Sequence, residues 1–276
     1  MASGPASLYL ELMKRTLTFS LWPEPPVPVE YFDATRPGWK RRLLALARRA
    51  LRRWNFSLVH PFPASAQDRY EGMDKPGYAH TMIGMRRLDS LHACVETALR
   101  EGVPGDLIET GVWRGGACIF MRAVLAAHGV TDRLVFVADS FEGLPKPDLA
   151  RWPADSSDNY HLDRFFAVSR EEVEANFRAY GLLDAQVVFL KGWFKDTLPA
   201  APIVRLALMR LDGDMYGSTM EAMENLYPKL SPGGFCVIDD YSLPGCRQAV
   251  DDFRARNDVG APLIEIDWTG RYWRKS

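Results

Sequence analysis

The pattern of apolar and polar positions changes character near Asp106. From there the chain repeats a short apolar run, a turn and a helical stretch: 106–110 is followed by 115–128, and 134–138 by a long polar loop. Further apolar runs occupy 186–190, 206–211 and 235–238. They are rich in Val, Ile, Leu and Phe and lack the every-second-residue alternation of a half-exposed strand, so each is expected to be covered on both faces. Ser169-Arg170-Glu171-Glu172 is a capping box opening a helix to about Tyr180, and 218–230 predicts another helix, closed by Ser231-Pro232-Gly233-Gly234. Segments 263–267 and 271–274, around Thr269-Gly270, predict a hairpin that adds an antiparallel edge. Such alternation implies βαβ units and an α/β fold with a doubly wound, mostly parallel, seven-stranded sheet.

Before Asp106 the pattern is irregular: an apolar segment at 8–19, a proline-rich stretch at 22–28, a basic helix candidate at 39–58, a loop rich in Pro, Gly and Ala, and a helix candidate at 85–100. Residues 1–84 read as a helical N-terminal appendage, and 85–276 as the main domain.

Composition narrows the chemistry. Hydrophobic residues make up 47% of the 276 and charged residues 25%, which fits a folded globular chain and excludes a disordered or fibrous one. Lys plus Arg number 34 against 35 Asp plus Glu, so no basic excess exists to hold nucleic acid, and a small-molecule partner is expected. Cys94, Cys118, Cys236 and Cys246 form no C-x-x-C pair and read as buried thiols of a reducing compartment. Glu11, Lys14 and Arg15 interrupt the N-terminal apolar segment, so neither a signal peptide nor a membrane span is expected, and the cytoplasm follows.

Candidate chemistry concentrates at the strand ends. In Leu107-Ile108-Glu109-Thr110-Gly111-Val112-Trp113-Arg114-Gly115-Gly116 a strand ends beside an acidic residue, and glycines allow a tight turn bringing backbone amides and a helix N-terminus to a ligand. The spacing E-x-G-x-x-x-G-G lacks the second glycine of the G-x-G-x-x-G pyrophosphate fingerprint, which disfavours a dinucleotide. Asp139 ends the next strand, where it could accept from a ribose diol, and Ser140-Phe141 follows with an aromatic face for an adenine. S-adenosylmethionine meets these requirements. Glu109, Thr110, Gly111, Val112, Trp113, Asp139, Ser140 and Phe141 are therefore its candidate contacts.

Asp212 ends one strand, in Leu211-Asp212-Gly213-Asp214, and Asp239-Asp240 ends the next. Carboxylates gathered at one sheet edge must hold extra protons or bind a cation, and all-oxygen ligation selects a hard ion such as Mg²⁺. That ion could lower the pKa of a substrate hydroxyl and hold it in line with a methyl donor. Asp214, two residues past the strand end, reads as a solvated turn residue.

The chain resembles the macrocin O-methyltransferase family. The resemblance runs from about Leu8 to Trp273 and is carried by Tyr78-Ala79-His80-Thr81-Met82-Ile83-Gly84-Met85, 107–116, Asp139-Ser140-Phe141-Glu142-Gly143-Leu144-Pro145, Gly192-Trp193-Phe194-Lys195-Asp196-Thr197-Leu198-Pro199, Leu211-Asp212-Gly213-Asp214-Met215-Tyr216 and Asp239-Asp240-Tyr241. It implies a class I, Rossmann-like methyltransferase domain and O-methylation dependent on Mg²⁺ and S-adenosylmethionine. The acceptors it implies are sugar hydroxyls of glycosylated natural products. Carried onto matching positions, Asp212, Asp239 and Asp240 are the metal ligands, and Glu109, Gly111, Asp139 and Ser140 contact the cofactor. Thr81 and Met82 belong to a closing lid over its methionine portion, and Gly192 and Trp193 lie near its adenosine.

The fold also resembles metal-dependent catechol methyltransferases, which makes a catechol-like hydroxyl the alternative acceptor. Their lysine three residues after the first metal ligand is Met215 here, so Asp212 or His161 must serve as base. His161 sits in the 144–168 loop, which is too long for a bare connection and reads as a substrate cover. The basic helix at 39–54 has apolar positions at helical spacing. A partner subunit of a homo-oligomer is expected on it in preference to a membrane, because one weak anchor gives only marginal lipid binding.

Overall fold

The computed structural model describes residues 4–30, 36–61 and 65–276. Positions 62–64 of the loop rich in Pro, Gly and Ala, and 1–3 and 31–35 of the appendage, lie outside the described residues.

Helix α1 (Pro5–Leu17) is followed by the short pair β1 (Val27–Pro28) and β2 (Val59–His60), which flank α2 (Gly38–Arg52). Then come α3 (Ala66–Glu71) and α4 (Gly84–Arg100). The alternating part contains β3 (Asp106–Thr110), α5 (Gly116–Ala127), β4 (Val135–Asp139), α6 (Arg170–Ala179), β5 (Val187–Lys191), α7 (Phe194–Thr197) and β6 (Leu206–Leu211). It closes with α8 (Tyr216–Leu226), β7 (Leu230–Ile238), α9 (Pro244–Arg256), β8 (Ile264–Glu265) and β9 (Arg271–Arg274).

The seven strands order as β5-β4-β3-β6-β7-β9-β8, with β9 antiparallel to β7 and to β8 and the rest parallel. Strand order therefore reverses between β3 and β6, where a crevice opens at the carboxyl ends of an open α/β sheet. Both faces are apolar, which is why the strands show no period of two. Leu107, Val135, Val137, Leu208 and Val237 point into one core with α1, α4, α5 and α6. Ile108, Phe136, Met209, Leu211 and Ile238 point into the other with α8 and α9. Leu10, Met13 and Leu17 of α1 are buried in the first of these cores, so the appendage begins as part of the main packing.

Several boundaries differ from expectation: the basic helix expected over 39–58 ends at Arg52, and the strand expected over 235–238 begins at Leu230, so Ser231-Pro232-Gly233-Gly234 lies within it. The helix expected to reach 230 stops at Leu226, because Pro228 has no N–H for the ladder and a 3₁₀ turn at Tyr227–Lys229 takes over. Strand β8 spans only Ile264–Glu265, since Asp267 turns inward and accepts from the backbone N–H of Thr269 at 3.0 Å and of Gly270 at 2.7 Å. Helix α2 buries none of its residues, and its Trp39, Leu43 and Leu46 are 65%, 62% and 67% exposed. All four cysteines are free and buried, and no helix among the described residues is long and apolar enough to cross a membrane.

Candidate active site

The turn from β3 into α5 passes under the end of β6. A Cβ on Gly111 (φ +79°) would fall 1.7 Å from the carbonyl oxygen of Asp212, so only glycine lets these strand ends approach. Asp139 ties the turn to β4: its Oδ2 accepts from the N–H of Val112 at 2.7 Å and its Oδ1 from the N–H of Phe141 at 2.7 Å. Burial raises the pKa of Asp139, and those two amides work against the rise.

Five carboxylates meet near the switch point in two unlike settings. Glu109, 2% exposed, pairs through Oε1 with Nη1 of Arg210 and accepts at Oε2 from the Cys118 thiol at 2.8 Å. Burial pushes Glu109 up to about 7 although Arg210 opposes it. Asp239 lies with Oδ2 2.5 Å from Nη1 of Arg87 and Oδ1 2.5 Å from Nη2 of Arg210. Its burial would raise its pKa, yet the two guanidiniums more than offset that and hold it below the usual carboxylate range. Arg87 also donates from Nε to Oδ2 of Asp267 at 3.0 Å, linking α4 to the turn before β9.

The other setting gathers Asp212, Asp214 and Asp240, each half-buried and each placing one oxygen within 4.8 Å of the others. The backbone N–H of Asp214 donates to Oδ2 of Asp240 at 3.1 Å, which folds the turn back onto the cluster. Arg210 touches this set only through Asp212, at 3.0 Å. Burial and then the charge of Asp239 raise Asp212 to about 6. Asp214 and Asp240 are pushed well above the usual range by burial and by neighbouring carboxylates. Convergent oxygens with too little positive charge beside them fit a hard divalent cation. Asp214 is thus part of the cluster and not a solvated turn residue, because positive φ at 55° turns the chain back at that point.

A cavity of about 790 Å³ opens over these strand ends. Thr81, Met82, Glu109, Gly111, Val112, Trp113, Asp139, Ser140, Gly192 and Trp193 line it, as do Asp212, Asp239, Asp240 and His161. Thr110 and Phe141 do not. Thr110 points into the protein with its hydroxyl buried and unpartnered, and Phe141, 5% exposed, packs on Phe189 with ring centroids 6.0 Å apart. The aromatic face expected to receive an adenine is therefore spent on the core. Sequence reasoning also missed Arg87, Arg210 and Trp152, of which Arg210 alone had a signal, as a cation inside the apolar run Leu206–Leu211.

The profile of the family described as Macrocin-O-methyltransferase (TylF) matches residues 6–275. The chain belongs to the macrocin O-methyltransferase family. It is an O-methyltransferase, and its relatives within the family are close. It is 50% identical, over 99% of this chain and 95% of the relative, to the 8-demethyl-8-(2,3-dimethoxy-alpha-L-rhamnosyl)-tetracenomycin-C 4'-O-methyltransferase of Streptomyces olivaceus. It is 47% identical, over 99% of this chain and 98% of the relative, to the mycinamicin III 3''-O-methyltransferase of Micromonospora griseorubida. The solved structure of the O-methyltransferase NovP superposes with a TM-score of 0.84 at 45% identity, covering 98% of this chain and 99% of that one. The class I, Rossmann-like methyltransferase fold expected from sequence is thereby shown.

Proposed function

We propose that this O-methyltransferase uses S-adenosylmethionine and Mg²⁺ to methylate a sugar hydroxyl of a glycosylated natural product. The observation that carries the reading is one cavity in which a carboxylate cluster faces the β3, β4 and β5 strand ends, in a chain close to glycoside O-methyltransferases. When bound, the cofactor would supply the methyl group, and the cation would acidify a chelated hydroxyl whose own pKa lies far above 7.

The protein's own groups do the rest. Asp212 and Asp240 are common to the trio expected from sequence and the trio assembled in the fold, and we assign both to the cation. Asp212, whose Oδ2 also accepts from Nη1 of Arg210 at 3.0 Å, or His161 in the cavity wall takes the acceptor proton as general base. His161 lines the cavity, and its Nδ1 is buried without a partner. Thr81, Met82, Gly192 and Trp193 cover the cofactor end and exclude water. The exposed apolar stripe of α2 is read as a contact to a second copy, which Leu43→Glu with Leu46→Glu would dissociate in sedimentation.

The test is mass spectrometry after incubation with labelled S-adenosylmethionine, Mg²⁺ and a panel of glycosylated acceptors. A vicinal diol is expected to be methylated and its neighbouring deoxy analogue to react far more slowly, because the cation would chelate both oxygens. Undiminished turnover in excess EDTA would overturn the metal, and turnover of catechols alone the acceptor.

A further inference from the structure

Residues 144–168 join β4 to α6 and contribute Trp152, Tyr160 and His161 to the cavity wall. A connection of this length ordinarily lies loose on a surface. Here a buried carboxylate fastens its first half, beside the Arg151–Glu221 pair, while Lys75–Asp163 and the bond from Trp113 Nε1 to the Phe165 carbonyl hold its second half. Asp155, 3% exposed, sits in the 3₁₀ turn Pro153–Asp155. Its Oδ1 accepts from the N–H of Tyr216 at 2.7 Å and its Oδ2 from the N–H of Gly217 at 3.0 Å. Those are the first two amides of α8, which have no partner inside the helix and carry the positive end of its dipole. The cap of α8 is therefore supplied by a distant segment.

Two glycines make room for this arrangement. A Cβ on Gly245, in the first turn of α9, would lie 3.2 Å from Oδ1 of Asp155, so α9 closes against the same carboxylate. A Cβ on Gly217 would lie 2.5 Å from the Trp152 indole, which also packs on Tyr216 with centroids 5.3 Å apart. Trp152 and Asp155 thus grip the first turn of α8, while His161, six residues on, lines the cavity.

We propose that Asp155 is a positioning residue for the acceptor: by capping α8 it fixes the first half of 144–168 and holds Trp152 against the acceptor, without serving the cofactor. The inference rests on the proposed function only in placing the acceptor in this cavity. Asp155→Ala loosens the first half of the segment, around Trp152, Asp155→Asn keeps one acceptor oxygen and weakens the grip less, and Gly217→Ala displaces the Trp152 ring while leaving Asp155 intact.

Three readouts test it: tryptic cleavage after Arg151 followed by mass spectrometry, calorimetric binding of S-adenosylhomocysteine, and KM and kcat for a rhamnosyl glycoside that the wild type methylates. For Asp155→Ala we expect cleavage and acceptor KM both to rise about tenfold, the cost of leaving two buried amides unpaired, with S-adenosylhomocysteine affinity unchanged. Gly217→Ala should raise KM alone, and Asp155→Asn should fall between wild type and Asp155→Ala. Unchanged KM in Gly217→Ala and Asp155→Ala overturns the proposal. So does a loss of S-adenosylhomocysteine affinity matching the rise in KM, which marks general damage. If Asp155→Ala fails to fold, Gly217→Ala decides. A wild type that methylates no glycoside fails the proposed function instead, and unchanged cleavage in Asp155→Ala then still overturns the latch.

Discussion

Asp239 and Asp240 are neighbours in sequence and opposites in setting. At the end of an extended strand consecutive side chains diverge, so Asp239 turns to Arg87 and Arg210 while Asp240 turns to Asp212 and Asp214. The first belongs to a chain of buried charges, Glu109–Arg210–Asp239–Arg87–Asp267, that ties β3, β6, β7, α4 and the turn before β9 together. The second belongs to a cluster whose negative charge the protein leaves largely uncompensated. The difference teaches that an acidic strand end carries two jobs, one holding the edge of the sheet in shape and one kept short of positive charge so that it can take up a cation or a proton.

The sharpest way to break this contrast is to remove the brace. Arg210→Met should cost about 3–5 kcal/mol, because it strands the buried carboxylates of Glu109 and Asp239 without their partner. Urea unfolding measures this, and a loss below about 1 kcal/mol would show that the arginine network does not hold the edge. Next in size is the comparison of neighbours. Asp239→Asn should lower stability by about 2 kcal/mol through its charge-assisted contacts, with or without Mg²⁺. Asp240→Asn should leave metal-free stability unchanged or raised, since it relieves repulsion, yet abolish both turnover and the rise in Tm on adding Mg²⁺. Asp214→Asn decides the third ligand: if it weakens the Mg²⁺ response and Asp239→Asn does not, the assembled trio binds the ion. The reverse result would return Asp239 to the metal, as the family resemblance implies.

The same contrast explains what could be read from the sequence. The sheet was legible because its strands are covered on both faces and so appear as unbroken apolar runs, and the β3 turn because Gly111 must meet the end of β6. That carboxylates would gather at the strand ends was legible too, since the acids stand where those runs stop. Which of them would face a cation was not. It depends on Arg87, 152 residues from Asp239, and on the backward turn at Asp214, neither of which leaves a periodic trace. Phe141 misled for a related reason: an aromatic after a strand end suits a ligand or a core equally, and Phe189 on β5 claimed it.

A smaller effect follows from pH, with opposite signs in the two settings. Asp239 is held below its unfolded value, so its contribution is present above that value and is lost as pH falls through the depressed one. Asp212 is raised to about 6, so its contribution is present below its unfolded pKa and is lost as pH climbs through about 6. Metal-free protein should therefore lose on the order of 1 kcal/mol of stability between pH 5 and 8 from the cluster, and Mg²⁺ should restore it, giving a larger rise in Tm at pH 8 than at pH 5. An equal rise at both pH values would mean that the cluster is already ionised, and so not short of compensation.

The smallest effect concerns a polar group that neither setting serves. Thr110, one residue beyond Glu109 on β3, is fully buried, with a hydroxyl that finds no partner and does not reach the cavity. Valine has the same shape without the unpaired oxygen, and its branched side chain suits a strand covered on both faces. Thr110→Val should therefore raise stability by about 0.5–1 kcal/mol and leave S-adenosylhomocysteine affinity within about twofold, in calorimetry run without metal. A tenfold loss of affinity would place the hydroxyl on the cofactor. It would also show that the β3 end reorganises on binding, and that the bracing by Arg210, one register position back on the neighbouring β6, yields when the site is filled.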